Sequence, residues 1–219
     1  MTSSDPVHEA VVAVGVALED TGLVVGTAGN VSGRRADGLI CLSPSATPYR
    51  AITSDTLAVV GLDGERVSGS PRPTTELAMH LACYRTFAGV GGVVHCHAPY
   101  ASMFAVARRP IPAAVEEVTI YVGGAVGVGA YEPTGTDELA AEVVTHLADR
   151  SAVLLANHGL LCIGADPEDA LHTALVVERT AQIVHGAALL GDVHPLPAAA
   201  DERFTGMYRE RRNAWTIAQ

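Results

Sequence analysis

Two histidines separated by one residue, His95 and His97, lie in the run Val93-Val94-His95-Cys96-His97. The run is apolar and rich in β-branched residues, which predicts a strand. On a strand, residues two apart project from one face, about 7 Å apart along the backbone, so both imidazoles can reach one ion. A third histidine, His158, follows another apolar run in Leu155-Ala156-Asn157-His158-Gly159, and strand ends are where α/β proteins present functional groups. Three imidazoles suit Zn2+, with other divalent metals such as Mn2+ or Co2+ also compatible. The remaining histidines, His8, His80, His146, His172, His185 and His194, fall on expected helices or in the C-terminal tail. They are expected to be solvated or packed.

Glu76 follows Pro73-Thr74-Thr75, where a helix is expected to begin, and a helix N-terminus favours an anionic side chain for structural reasons alone. The same N-terminus offers two threonine hydroxyls and free backbone amides, an arrangement that binds phosphate, although plain N-capping also accounts for it. Gly26-Thr27-Ala28-Gly29-Asn30 is a second potential anion cradle, because small residues permit positive φ and leave amides exposed. Ser43-Pro44-Ser45 is a third.

The elements that must position these groups are legible from caps and periodicity. Asp5-Pro6 caps an opening helix with Val7, Val11, Val14 and Leu18 at helical spacing, stopped by Gly22. Between Val24 and Gly69 short β-type stretches, Leu39–Leu42 and Leu57–Leu62, are separated by turn signals and read as hairpins. A second helix, carrying Leu77, His80, Leu81 and Tyr84, is expected to end near Gly89, before the His95 strand. Val118–Val122 reads as β, Thr136-Asp137 to Asp149 as helix, and Ala152–Ala156 as strand. A long helix starts at Asp166-Pro167-Glu168 and runs to Gly191, and a Pro- and Ala-rich stretch leads to a charged terminal helix. Strands and helices interleave without a repeat or linker, which predicts one α/β domain over residues 1–219, its sheet covered by helices on both faces.

With 219 residues, 48% of them hydrophobic and 17% charged, the chain can bury a full core, and no apolar run approaches the length of a membrane helix. A net charge of −10 argues against non-specific binding to nucleic acid or to an anionic membrane. The four cysteines, Cys41, Cys83, Cys96 and Cys162, form no CxxC and follow no secretory signal, which predicts reduced thiols and a cytoplasmic location.

The ordered blocks GTAGNVSGR, SPSATPY, PTTE, HCHAP and NHGL, spread from about Gly26 to Leu190, resemble the class II aldolase/adducin family, in particular its fuculose-phosphate aldolase branch. The resemblance implies a three-layer α/β/α fold with a mostly antiparallel central sheet, and a homotetramer with active sites at subunit interfaces. It also implies a divalent metal, usually zinc, bound by Glu76, His95, His97 and His158. The family's phosphate pocket falls on Thr27, Gly29, Asn30, Ser45, Ala46, Thr74 and Thr75. Ala46 stands where the fuculose-phosphate enzymes usually have glycine. The tyrosine that those aldolases use as proton donor aligns with Glu116, so the second acid/base is expected from Glu116 or Glu117, with Tyr208 of the terminal helix as rival. The implied activity is reversible cleavage of a ketose 1-phosphate to dihydroxyacetone phosphate and a small aldehyde, with Glu76 moving the proton at carbon. A 5-deoxyribulose-1-phosphate aldolase, a phosphotetronate decarboxylase or a pentulose-phosphate 4-epimerase would use the same metal and phosphate sites. An adducin-like interaction module is the non-catalytic alternative, and retention of all four metal-site residues argues against it.

Overall fold

The computed structural model describes residues 5–70 and 72–215. The chain opens with α1 (Pro6–Asp20), where the Asp5 carboxylate accepts from the Val7 amide at 3.0 Å and Pro6 fills the first turn. Four short strands follow as an antiparallel meander: β1 (Asn30–Arg34), β2 (Ile40–Leu42), β3 (Ala58–Val60) and β4 (Arg66–Gly69). Then come α2 (Leu77–Thr86), β5 (Gly92–Cys96), α3 (Pro99–Ala107) and α4 (Glu116–Val122). The remainder is β6 (Val128–Gly129), α5 (Asp137–His146), β7 (Ala152–Leu155), β8 (Gly159–Gly164), α6 (Pro167–Leu190) and α7 (Ala198–Ala214).

The strands form one sheet in the order β4-β3-β2-β1-β5-β8-β7-β6, antiparallel throughout except for the β6–β7 pair. Alternation along each strand divides the core into two layers. Val94 and Cys96 of β5 and Cys162 of β8 face the side covered by α1, α3, α4 and α6, where Val14, Leu18, Ala101, Val118 and Val177 are buried. Val93 of β5 and Leu161 of β8 face the other side, beneath α2 and α5, with Leu81, Leu139 and Val143. The protein is therefore a three-layer α/β/α structure, as the sequence led us to expect. His95 alternates with Val94 and Cys96, which turns it toward the α2 face. Among the described residues, no helix is long and apolar enough to cross a membrane.

The structure corrects three sequence-based expectations. Residues 118–122 are helical rather than β: Val118, Thr119 and Val122 are buried at helical spacing, Glu116 and Glu117 occupy the favourable first turn, and Gly123 ends α4 in the left-handed region at φ 98°. The second helix starts later than Pro73-Thr74-Thr75, with Glu76 at its N-cap position and the threonines in the loop before it. Three elements, α3, β6 and β8, were not anticipated.

Candidate active site

Register brings the site together. Asn30 of β1 pairs with His95 of β5, which on its other side pairs with Leu161 of β8. His97 lies just past β5, and His158 lies in the tight turn joining β7 to β8. Two glycines allow the close approaches. Gly29 has φ +74°, and a Cβ there would lie 2.7 Å from the His95 carbonyl oxygen. A Cβ at Gly159 would lie 2.4 Å from the Cys96 carbonyl oxygen and 3.0 Å from the His97 ring. Asn157, beside His158, takes the left-handed conformation that its short polar side chain tolerates, and its Oδ1 accepts from Arg108.

The three imidazoles converge, with ligand nitrogens all within 4.8 Å of one another. His95 Nε2 lies 3.2 Å from His97 Nε2 and 3.2 Å from Glu76 Oε2, while His158 Nε2 lies 3.3 Å from Glu76 Oε1. A tetrahedral ion with bonds of ~2.0–2.1 Å needs donor atoms about 3.3–3.4 Å apart, so these edges have the right length. His95 Nδ1 lies 3.0 Å from the Leu160 carbonyl oxygen, to which it donates. That bond fixes the tautomer and leaves the Nε2 lone pair aimed into the cluster. Burial, reinforced by the neighbouring imidazoles, holds the His95 pKa well below its ordinary value, and burial also lowers that of His97. Neutral imidazoles are the ligating form. Cys96 contributes no ligand: it points into the opposite layer, and burial pushes its thiol up to about 12.

Glu76 is 5% exposed, and its Oε1 makes no hydrogen bond. A buried carboxylate oxygen beside the His158 ring, without a hydrogen bond of its own, is suited to a cation. Its other oxygen, Oε2, accepts from Asn30 Nδ2 at 2.7 Å. The donor set, three imidazoles and one carboxylate, fits a zinc-like divalent ion.

Next to the cluster is a cavity of about 400 Å³. Thr27, Gly29, Asn30, Ser45, Ala46, Thr74 and Thr75 line it together with Glu76, His97 and His158, while His95 is fully buried beside them. Three loops that looked ordinary singly thus meet at one place. Ala46 adopts φ 53°, a backbone region that favours glycine. Ala28 and Pro44, from two of the expected cradles, also line the cavity, and the structure adds Thr134. Thr134 sits in a turn made tight by Gly135 at φ +82°, and the Pro-Thr-Gly-Thr sequence was the available signal.

The other expected residues are not in this cavity. Glu116 and Glu117 are exposed at the start of α4. Tyr208 is 2% exposed, with its hydroxyl 3.0 Å from Ser151 Oγ and 2.7 Å from a donating Arg212 nitrogen. Burial raises its pKa. His80, expected to be merely solvated or packed, is fully buried and lies 2.5 Å from Asn30 Oδ1 through its Nε2.

The family described as Class II Aldolase and Adducin N-terminal domain matches residues 9–185. The chain belongs to this family. A class II aldolase relative from Bacillus thuringiensis serovar kurstaki, 5-deoxy-D-ribulose 1-phosphate aldolase, is 36% identical over 87% of this chain and 89% of its own length. The L-fuculose phosphate aldolase of Escherichia coli K12 is 33% identical over 83% of this chain and 82% of its own. A solved L-fuculose 1-phosphate aldolase superposes with a TM-score of 0.89 at 32% identity, covering 95% of this chain and 98% of that one.

Proposed function

We propose that this class II aldolase family member is a zinc-dependent aldehyde-lyase that reversibly cleaves a ketose 1-phosphate between C3 and C4, giving dihydroxyacetone phosphate and a small aldehyde. The observation that carries the reading is the convergence of three histidines beside the buried Glu76, whose Oε1 has no hydrogen bond, at the edge of a cavity lined by hydroxyls and loop amides. Glu76, His95, His97 and His158 would hold the ion. When bound, it supplies Lewis-acid stabilisation of the negative charge that develops on the carbonyl side as the C3–C4 bond breaks.

The chain's own residues do the rest. Thr27, Asn30, Ser45, Thr74 and Thr75, with the backbone at Gly29 and Ala46, offer neutral donors to the phosphate. Phosphate anchoring fixes the reacting carbon against Glu76, whose Oε1 exchanges its proton as general acid/base. Asn30 holds Oε2 and so keeps Oε1 turned into the cavity. The proton on the C4 hydroxyl needs a second group. Glu116 and Glu117, exposed on α4, are available to a neighbouring subunit's cavity, whereas the Tyr208 hydroxyl is already engaged. This division of labour goes with a homotetramer of single-domain chains, residues 1–219, in a reducing cytoplasm. All four cysteines are free and buried.

Similarity to the Bacillus thuringiensis enzyme favours 5-deoxyribulose 1-phosphate as a second substrate reading. Its cleavage releases acetaldehyde, where fuculose 1-phosphate releases lactaldehyde. Zinc-loaded protein is expected to liberate dihydroxyacetone phosphate from one or both ketose phosphates, read by NADH oxidation through a coupled glycerol-phosphate dehydrogenase. Chelator-treated protein is expected to liberate none. A zinc-loaded protein that cleaves neither would overturn the aldolase reading and leave the decarboxylase, epimerase and scaffold alternatives.

A further inference from the structure

Behind Glu76, between β1 and α2, runs a line of buried polar side chains of which the catalytic account uses only the first, Asn30. Asn30 Nδ2 lies 2.7 Å from Glu76 Oε2, His80 Nε2 lies 2.5 Å from Asn30 Oδ1, Ser32 Oγ lies 2.6 Å from His80 Nδ1, and Tyr84 OH lies 2.8 Å from Ser32 Oγ. His80 and Ser32 are fully buried, and Tyr84 is nearly so. Two periodicities produce the line. Glu76, His80 and Tyr84 are four residues apart along α2 and its N-cap, hence on one face, and Asn30 and Ser32 are two apart on β1.

Donor and acceptor chemistry gives the line a single direction. An ionised carboxylate only accepts, so the Asn30 atom facing it must be the NH2 group. The amide oxygen then points at His80, whose Nε2 must carry the hydrogen. Burial holds the His80 pKa down at about 3, so the ring is neutral and has one N–H. Its Nδ1 is therefore an acceptor, Ser32 donates to it, and Tyr84 donates to Ser32. Reversing the Asn30 amide would set an oxygen against the carboxylate and an NH2 against the His80 N–H, losing both bonds at once.

We propose that His80, oriented by Ser32 and Tyr84, is a positioning residue that locks the amide of Asn30 so that it donates to Glu76 and holds that carboxylate in place for the metal. The proposal rests on Glu76 as a ligand, as assigned above. It requires a donor at the position of His80 Nε2, which a purely structural core residue would not.

The test compares His80→Leu, which removes the donor, with His80→Gln, whose side-chain amide can present N–H to Asn30. Apo-protein is titrated with Co2+ in competition with a chromophoric chelator, and turnover and KM are measured on the zinc-loaded enzyme. His80→Leu is expected to weaken Co2+ binding about tenfold, the lower end of what outer-shell partners of metal ligands contribute. It should lower turnover comparably while KM stays within about threefold. In an Asn30→Ala background the His80→Leu effect should vanish, and His80→Gln should recover most of the loss. Co2+ affinity unchanged in folded His80→Leu, additivity with Asn30→Ala, or no rescue by Gln would each overturn the proposal. If His80→Leu does not fold, Ser32→Ala takes its place: weakened Co2+ binding supports the relay, and wild-type affinity refutes it. The Co2+ readout needs no substrate, so failure of the aldolase reading leaves it interpretable.

Discussion

Replacing Glu76 by Gln should have opposite consequences for the metal-free and the metal-bound protein. Burial lowers the pKa values of His95 and His97, and Glu76 Oε1 has no hydrogen bond in the absence of metal. Glutamine can keep the Asn30 bond through its carbonyl oxygen and direct its NH2 toward His158 Nε2, which lies 3.3 Å from the present Oε1. Relieving a buried polar atom that lacks a partner is worth ~1–3 kcal/mol, and at ~2–4 °C per kcal/mol for a chain of this size the chelated variant should melt about 2–12 °C above wild type. Metal should act the other way. At a free concentration of about 100 times the wild-type Kd, binding adds ~2.7 kcal/mol, or about 5–11 °C, whereas a variant binding 100-fold more weakly gains only ~0.4 kcal/mol, or about 1–2 °C. Calorimetric scans with EDTA and with Zn2+ measure both effects. A chelated variant less stable than wild type, or an equal zinc-induced shift in the two proteins, would refute the reasoning.

His97→Ala should purify with little bound metal and lose at least about 100-fold in turnover, checked by elemental analysis and the coupled assay; full metal content with full activity would remove His97 from the site. Thr75→Val removes a donor from the cavity lining and should raise KM for the phosphorylated substrate roughly 10- to 100-fold, as loss of a hydrogen bond to a charged group would. The unphosphorylated analogue should be nearly unaffected, and equal losses for both would exclude Thr75 from phosphate binding. Ala46→Gly should relieve about 1 kcal/mol of left-handed strain, partly offset by a more flexible unfolded chain, and tighten phosphate binding. An increase in KM would show instead that the methyl group helps. Glu116→Gln or Glu117→Gln should cut turnover by about 100-fold or more if a carboxylate moves the C4-hydroxyl proton. Tyr208→Phe should cost mainly stability, and the reverse pattern would move the proton transfer to α7.

The histidine cluster was readable because its members stand at strand ends, where spacing and register convert directly into proximity. The caps of α1 and α6 were equally plain, since Asp-Pro at a helix start leaves few alternatives. Other elements failed for identifiable reasons. Val118, Ile120 and Val122 alternate like a strand, yet the helix they form buries Thr119 as well, and only tertiary packing reveals that choice. In β8, Leu160-Leu161-Cys162-Ile163 is buried on both faces and shows no alternation to read. Helix α3 buries small residues, Ala101 and Ala105, which leave a weak amphipathic pattern. His80 was overlooked as one histidine among many on helices. The signal was its fourfold spacing from Glu76 and Tyr84, which only gains meaning when the Asn30–Ser32 face of β1 is laid against it.

The central place of β5 also governs how the chain matures as it is synthesised. Asn30 and Leu161, the two neighbours of His95 across the sheet, are each about 65 residues from it in sequence, one before and one after. At ~5–20 residues per second, β1 waits roughly 3–13 s for β5 to emerge, and β5 waits as long again for β8. During both intervals a sheet edge is unpaired, first without any histidine of the cluster and then with two of the three. On the proposed ligand assignment the donor set is complete only when His158 and β8 arrive, after which no internal edge remains open to a neighbouring nascent chain.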